Sequence, residues 1–103
     1  RIEAMRLTNF RIAAGLEAGT MDVSLASATK VYGSEGVIEV LHRLMDIVGS
    51  SSLVRGDSAA AFLMGELEFE VRAATVNTFG GGTNEIQREL IAQFGLGMPR
   101  AQR

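Results

Sequence analysis

The chain has 103 residues, 47% of them hydrophobic, with ten basic against twelve acidic side chains and a formal net charge of −2. That length suits one small domain with little surplus burial, and a balanced charge without a basic run or interleaved aromatics sets nucleic acid aside as a partner. No cysteine is present and His42 is the single histidine, which excludes a disulfide scaffold, a thiolate metal site and a histidine ligand cluster.

Ile2, Met5, Asn9, Ile12 and Leu16 stand three and four residues apart, so the sequence opens inside an amphipathic helix. No signal segment or long uncharged apolar run precedes it, a pattern read as a fragment of a cytoplasmic protein. Gly15 and Gly19 predict an end near Ala18. A second helix starts behind Thr20 or Asp22, either of which can cap it, with an apolar stripe through Val23, Val31, Ile38, Leu41, Leu44, Met45 and Val48. Gly33 and Gly36 weaken its middle by about 1 kcal/mol each against alanine, and Gly49 with Ser50, Ser51 and Ser52 ends it.

A third helix is expected from Asp57 or Ser58 onward. Leu67 to Val71 alternates like a strand, but Ala59 to Met64 leads into it without a turn signal, and Phe62, Glu66, Phe69, Ala73 and Val76 fit a helical period. The fourth helix is expected from about Thr83 to Phe94, with Asn84 and Gln87 as a capping pair; Gly95 and Gly97 stop it, and Pro99 keeps the tail out of a helix. The expected architecture is all-α, an incomplete four-helix up-and-down bundle. An open apolar face on such a bundle recruits partners, which makes a homo-oligomer, in the first instance a dimer, the physical default.

The chemistry-bearing stretch is FGGGTNEIQR, residues 79 to 88. Three glycines lead onto a helix N-terminus, where backbone N–H groups can meet an anionic or carbonyl-bearing ligand. The same pattern also serves as an ordinary connection between packed helices.

Together with ASATKVYGSEG at 26 to 36, VGSSS at 48 to 52, Arg72 and GLGMPR at 95 to 100, this stretch resembles the carboxyl-terminal helical domain of the acyl-CoA dehydrogenase family, in its bacterial, actinobacterial-like branch associated with steroid or other bulky acyl-CoA substrates. The resemblance spans nearly the whole chain and implies that residues 1–103 are that domain without its first helix. Family members pass electrons from the α and β carbons of an acyl-CoA thioester to FAD, leaving a trans-2-enoyl-CoA, usually as tetramers. The parent is thus expected to use FAD, an acyl-CoA substrate and an electron-transfer partner, and to form homo- or hetero-oligomers. The isolated piece is expected to be inactive and to hold little or no FAD.

The reaction needs a carboxylate beside the α carbon and hydrogen bonds to the thioester carbonyl. The family often carries its glutamate base at the position that is Gly81 here, before Gly82 and Thr83, and an aromatic where Gly80 stands. No catalytic residue is therefore assigned within this sequence. The resemblance leaves two sources for the parent's chemistry: a base on another element, as in some relatives, or a non-catalytic role in a mixed assembly. It assigns cofactor binding to Gly80, Gly81, Gly82, Thr83, Glu85 and Gly49. Thr83 is implied to lie against the flavin, with a simple helix cap as the alternative, and the charge of Glu85 also suits a helix N-terminus.

At the turn after the second helix, Asp46 stands where relatives carry a glutamine, and Ser50 replaces a second glycine, which leaves Gly49 to permit close approach. Lys30 either reaches an acidic partner or snorkels to solvent. Arg88 pairs with an acid or is solvated; His42 reads as a surface or packing residue, and Arg55-Gly56-Asp57 as a chance tripeptide. The competing function class is a structural or non-catalytic helical subunit that supports an assembly without binding flavin.

Overall fold

A computed structural model describes residues 1–100. The all-α expectation holds: four α-helices follow one another, α1 (Ile2–Glu17), α2 (Val23–Val48), α3 (Glu66–Ala74) and α4 (Asn84–Leu90), and no strand occurs among the described residues. By contact density they divide into two compact units. One comprises Arg1–Gly33 with the segment from Gly81 onward, and the other comprises Ser34–Gly80.

In the first unit, α1 ends at Glu17 as the glycines predict. Gly19 takes φ +69°, and the chain folds back through a 2.8 Å bond from Thr20 N–H to the Gly15 carbonyl. Of the two candidate caps for α2, Asp22 is the one used. Its carboxylate accepts from Leu25 N–H at 2.9 Å and Ser24 Oγ at 2.8 Å, while the Thr20 hydroxyl faces the Gly15 carbonyl instead. Leu25 N–H first, then the Ser24 hydroxyl, hold the Asp22 carboxyl below its ordinary pKa. α2 continues through Gly33, and Met5 packs into the space that a side chain there would take. Ser27 and Val31 are buried, whereas no residue of α1 is, leaving Ile2, Leu7 and Phe10 exposed.

α4 is shorter than expected. It runs from Asn84 to Leu90 and loosens into a π-helical turn, Ile91–Gly95, before Gly97 reverses the backbone at φ +64°. Its start also differs: the cap is Thr83, whose Oγ1 accepts from Ile86 N–H at 3.3 Å, rather than an Asn84–Gln87 pair.

In the second unit, Gly49 takes φ +73° behind α2 and a 3₁₀ turn follows, Gly49–Leu53, pinned by the buried Ser52 hydroxyl donating to the Gly49 carbonyl at 2.6 Å. The predicted start of the third helix is wrong. Residues 57 to 65 form turns, with Leu63 and Met64 in left-handed backbone at φ +48° and +55°, and α3 begins only at Glu66. Ser58 Oγ accepts from Ala60 N–H at 3.3 Å within a turn instead of capping a helix. The physical reason lies at Gly65, which has φ +80° and packs its α-carbon onto the backbone of Gly56; a β-carbon on either glycine would collide with the other strand of chain. The helix reading of Leu67 to Val71 holds. Its buried face is Leu67 and Ala74, seven residues apart, while Phe69 and Val76 from the expected stripe are exposed.

Candidate functional site

The turn between Gly81 and Asn84 is held by side chains from two helices of the first unit. Lys30, one turn before the end of that unit's share of α2, donates from Nζ to the Gly82 carbonyl at 2.8 Å and to Asn84 Oδ1 at 2.7 Å. Gln87, on α4, donates from Nε2 to the Gly81 carbonyl at 3.2 Å. Both glycine carbonyls thus accept from side-chain donors. Among the described residues, the N–H groups of Gly81, Gly82 and Thr83 donate to no protein acceptor.

The backbone requires glycine here. Gly81 sits at φ +72° and Gly82 at φ +99°, a region that L side chains rarely adopt. A β-carbon on Gly81 would meet nothing within 4 Å, so the space beside it is open, whereas one on Gly82 would stand 2.9 Å from Gln87 Nε2. Asn84 is buried at 4% exposure, so its amide is a fixed anchor that the lysine ammonium reaches from α2.

The expected site residues separate. Gly81, Gly82, Thr83 and Glu85 lie in this turn and the first turn of α4. Gly80 closes the second unit with its N–H donating to the Val76 carbonyl at 2.8 Å, and Gly49 also belongs to that unit. Around Gly49 a groove of about 390 Å³ is lined by His42, Met45, Asp46, Ser50 and Leu53 among others. Asp46 and His42 are exposed there, in keeping with a surface role for His42.

Glu85 is a poor proton acceptor in this arrangement. Its own backbone N–H first, and then the Thr83 hydroxyl, stabilise the ionised carboxylate and hold its pKa below the ordinary value. A carboxylate with a depressed pKa is a weaker base. Thr83 works as a helix cap, as the alternative reading had it.

Lys30 secures the glycine turn across more than fifty residues of sequence. Sequence reasoning missed that role and the burial of Asn84, and the only local signal was a lysine among the small residues Ala26, Ser27 and Ala28. Arg72 forms a forked pair with Glu68 on one face of α3, at 3.0 and 3.2 Å, and lies over the Phe69 ring. No group of three His, Cys, Asp or Glu side chains that could hold a metal exists among the described residues, and none of their helices is long and apolar enough to cross a membrane.

Comparison with known proteins agrees with this geometry. Residues 1–96 match the family model "Acyl-CoA dehydrogenase, C-terminal domain". The chain is 39% identical to the acyl-CoA dehydrogenase FadE26 of Mycobacterium tuberculosis, over all of this chain and 26% of that protein. Among solved structures it resembles the ChsE4-ChsE5 complex from Mycobacterium tuberculosis, with a TM-score of 0.82 at 39% identity, and the Tcur3481-Tcur3483 steroid ACAD, with a TM-score of 0.84 at 43% identity. Each of these superpositions covers 96% of this chain and 26% of the other. The chain therefore spans about a quarter of the length of the relatives it matches.

Proposed function

The chain belongs to the acyl-CoA dehydrogenase family, and we propose that residues 1–103 are the carboxyl-terminal helical piece of an FAD-dependent enzyme that oxidises an acyl-CoA thioester to a trans-2-enoyl-CoA. On this reading the base that removes the α proton lies outside the segment. The observation that supports it most is the Gly81–Thr83 turn, which is open, side-chain-free at both glycines and tied back through its carbonyls, and which carries no carboxylate.

These residues fit a flavin. Open space at Gly81 admits a flat ring to van der Waals distance from the backbone, and three N–H groups remain for its heteroatoms. When bound, FAD supplies the acceptor for the hydride leaving the β carbon. The protein's share is orientation: Thr83 offers its N–H, while its hydroxyl is engaged with Ile86 N–H and the Glu85 carboxylate. The proposal assigns Gly80, Gly81, Gly82, Thr83, Glu85 and Gly49 to the cofactor region.

Likeness to a structure named as a steroid ACAD, together with the volume vacated at Gly81, favours a bulky acyl thioester as substrate. Likeness to solved pairs of different proteins favours a parent working in a mixed assembly. One observation favours the alternative of a helical subunit that does not itself bind flavin: Asp46 lines the groove beside Gly49, where it would repel a phosphate.

A structure of the full-length parent assembly with an acyl-CoA analogue separates these readings. The dehydrogenase reading expects a carboxylate from outside residues 1–103 within proton-transfer reach of the α carbon, and Thr83 beside the flavin. A base supplied only from within these residues would sink the external-base reading, and an assembly with no flavin pocket would favour the structural one.

A further inference from the structure

Lys30, on α2, ties the glycine turn to a helix other than the one the turn starts. It bridges Gly82, the residue before Thr83, and Asn84, the residue after it. Both bonds are charge-assisted and short, and Asn84 is buried, so the lysine grips a fixed point and the flexible point together. The gripped Gly82 and its neighbour Gly81 both have positive φ, where the chain has the most conformations to choose from, and Thr83 alone lies between Gly82 and Asn84. A residue that removes those conformations sets where the Thr83 N–H stands.

We infer that Lys30 is a positioning residue: by clamping the Gly82 carbonyl and the Asn84 amide it sets the Gly81–Thr83 backbone in the geometry required for turnover, an inference that rests on the dehydrogenase reading above. The ammonium acts through hydrogen bonds to the turn and touches no reacting atom. Gln87 supports the same turn through the Gly81 carbonyl at a longer 3.2 Å, and it belongs to the helix that the turn itself starts, so it cannot fix the turn against α2.

The test uses the full-length parent assembly, with turnover expressed per bound flavin. Lys30→Met keeps the aliphatic stem and removes the donors. A misplacement of about an ångström costs on the order of 100-fold, so kcat per flavin is expected to fall roughly 10- to 100-fold, with KM changed much less and the visible flavin spectrum shifted. Lys30→Arg keeps the charge but spreads its donors in a planar fork. It is expected to give an intermediate kcat with the wild-type melting temperature, and it decides the matter if Lys30→Met does not fold.

Variants that lose thermal stability or flavin content while the remaining holoenzyme keeps wild-type kcat and spectrum would overturn the positioning role and leave a structural one. A wild-type parent that binds no flavin would overturn the dehydrogenase reading itself, and the clamp's catalytic meaning with it. The two failures are distinguished by the wild-type protein alone.

Discussion

The terminal methyl of Met5 occupies the space that a side chain at Gly33 would need: a β-carbon there would stand 2.7 Å from Met5 Cε. Helix α1 approaches α2 at this point because α2 gives up a side chain. The glycine that weakens the helix by propensity is thus the residue that permits the contact.

Two opposing effects decide the outcome of Gly33→Ala. Propensity favours alanine by about 1 kcal/mol, while the flexible methionine must move aside. We expect the substitution to change stability by less than about 1 kcal/mol in the native background and to be more favourable when combined with Met5→Ala. A double-mutant cycle by urea denaturation measures the coupling; strict additivity would show that the contact does not constrain α2.

Gly81 poses the opposite case, since backbone and not space is limiting. Gly81→Ala meets no atom within 4 Å, yet φ is +72°. We expect a loss of about 1–2 kcal/mol from the left-handed conformation alone, and a smaller loss for Gly81→Asn, because asparagine tolerates that region better. Thermal melts of the two variants check the order; equal or reversed losses would mean that the turn's conformation is not what requires glycine.

Much of the fold was legible because its signals are local. The end of α1, the glycine stop behind α2 and the termination near Gly95 all follow from residues within a few positions of the event. Thr20 and Asp22 could not be separated from sequence, since both are good caps and only the backfolding onto Gly15 removes Thr20 from contention. The start of α3 is not legible because Ala59 to Met64 carries no local turn signal, and what keeps the helix from starting earlier is Gly65. Its partner is Gly56, nine residues earlier, and the close approach of two backbones leaves no periodic trace.

The site divides in the same way. The glycine turn announces itself at residues 80 to 82, and a threonine directly behind it announces the cap at Thr83. What holds the turn, Lys30, lies more than fifty residues away and pairs with a carbonyl and a buried amide, so charge complementarity in the sequence points elsewhere. Phe69 seemed a core residue by period, yet Leu67 and Ala74 are buried instead, a choice made by tertiary packing.

The Asp22 cap gives the stability a pH dependence of known sign. Its folded pKa is depressed, so its contribution is present above the ordinary aspartate value and is lost as pH falls through the lower folded value. Asp22→Asn, which keeps an acceptor but not the charge, is expected to flatten the acid limb of the stability curve while leaving neutral-pH stability less affected than Asp22→Ala does. Denaturation midpoints measured across the acid range check this; an unchanged acid limb in Asp22→Asn would assign the dependence to other carboxylates.

The most direct test of the account is optical. The full-length parent assembly is purified, its visible flavin absorbance recorded, and an acyl-CoA panel that includes bulky ring-bearing thioesters added without oxygen. The account predicts a yellow protein whose flavin absorbance bleaches on adding substrate, with bleaching retained in Glu85→Gln because the base lies outside this segment. A colourless assembly, or bleaching abolished by Glu85→Gln with the flavin still bound, would contradict it.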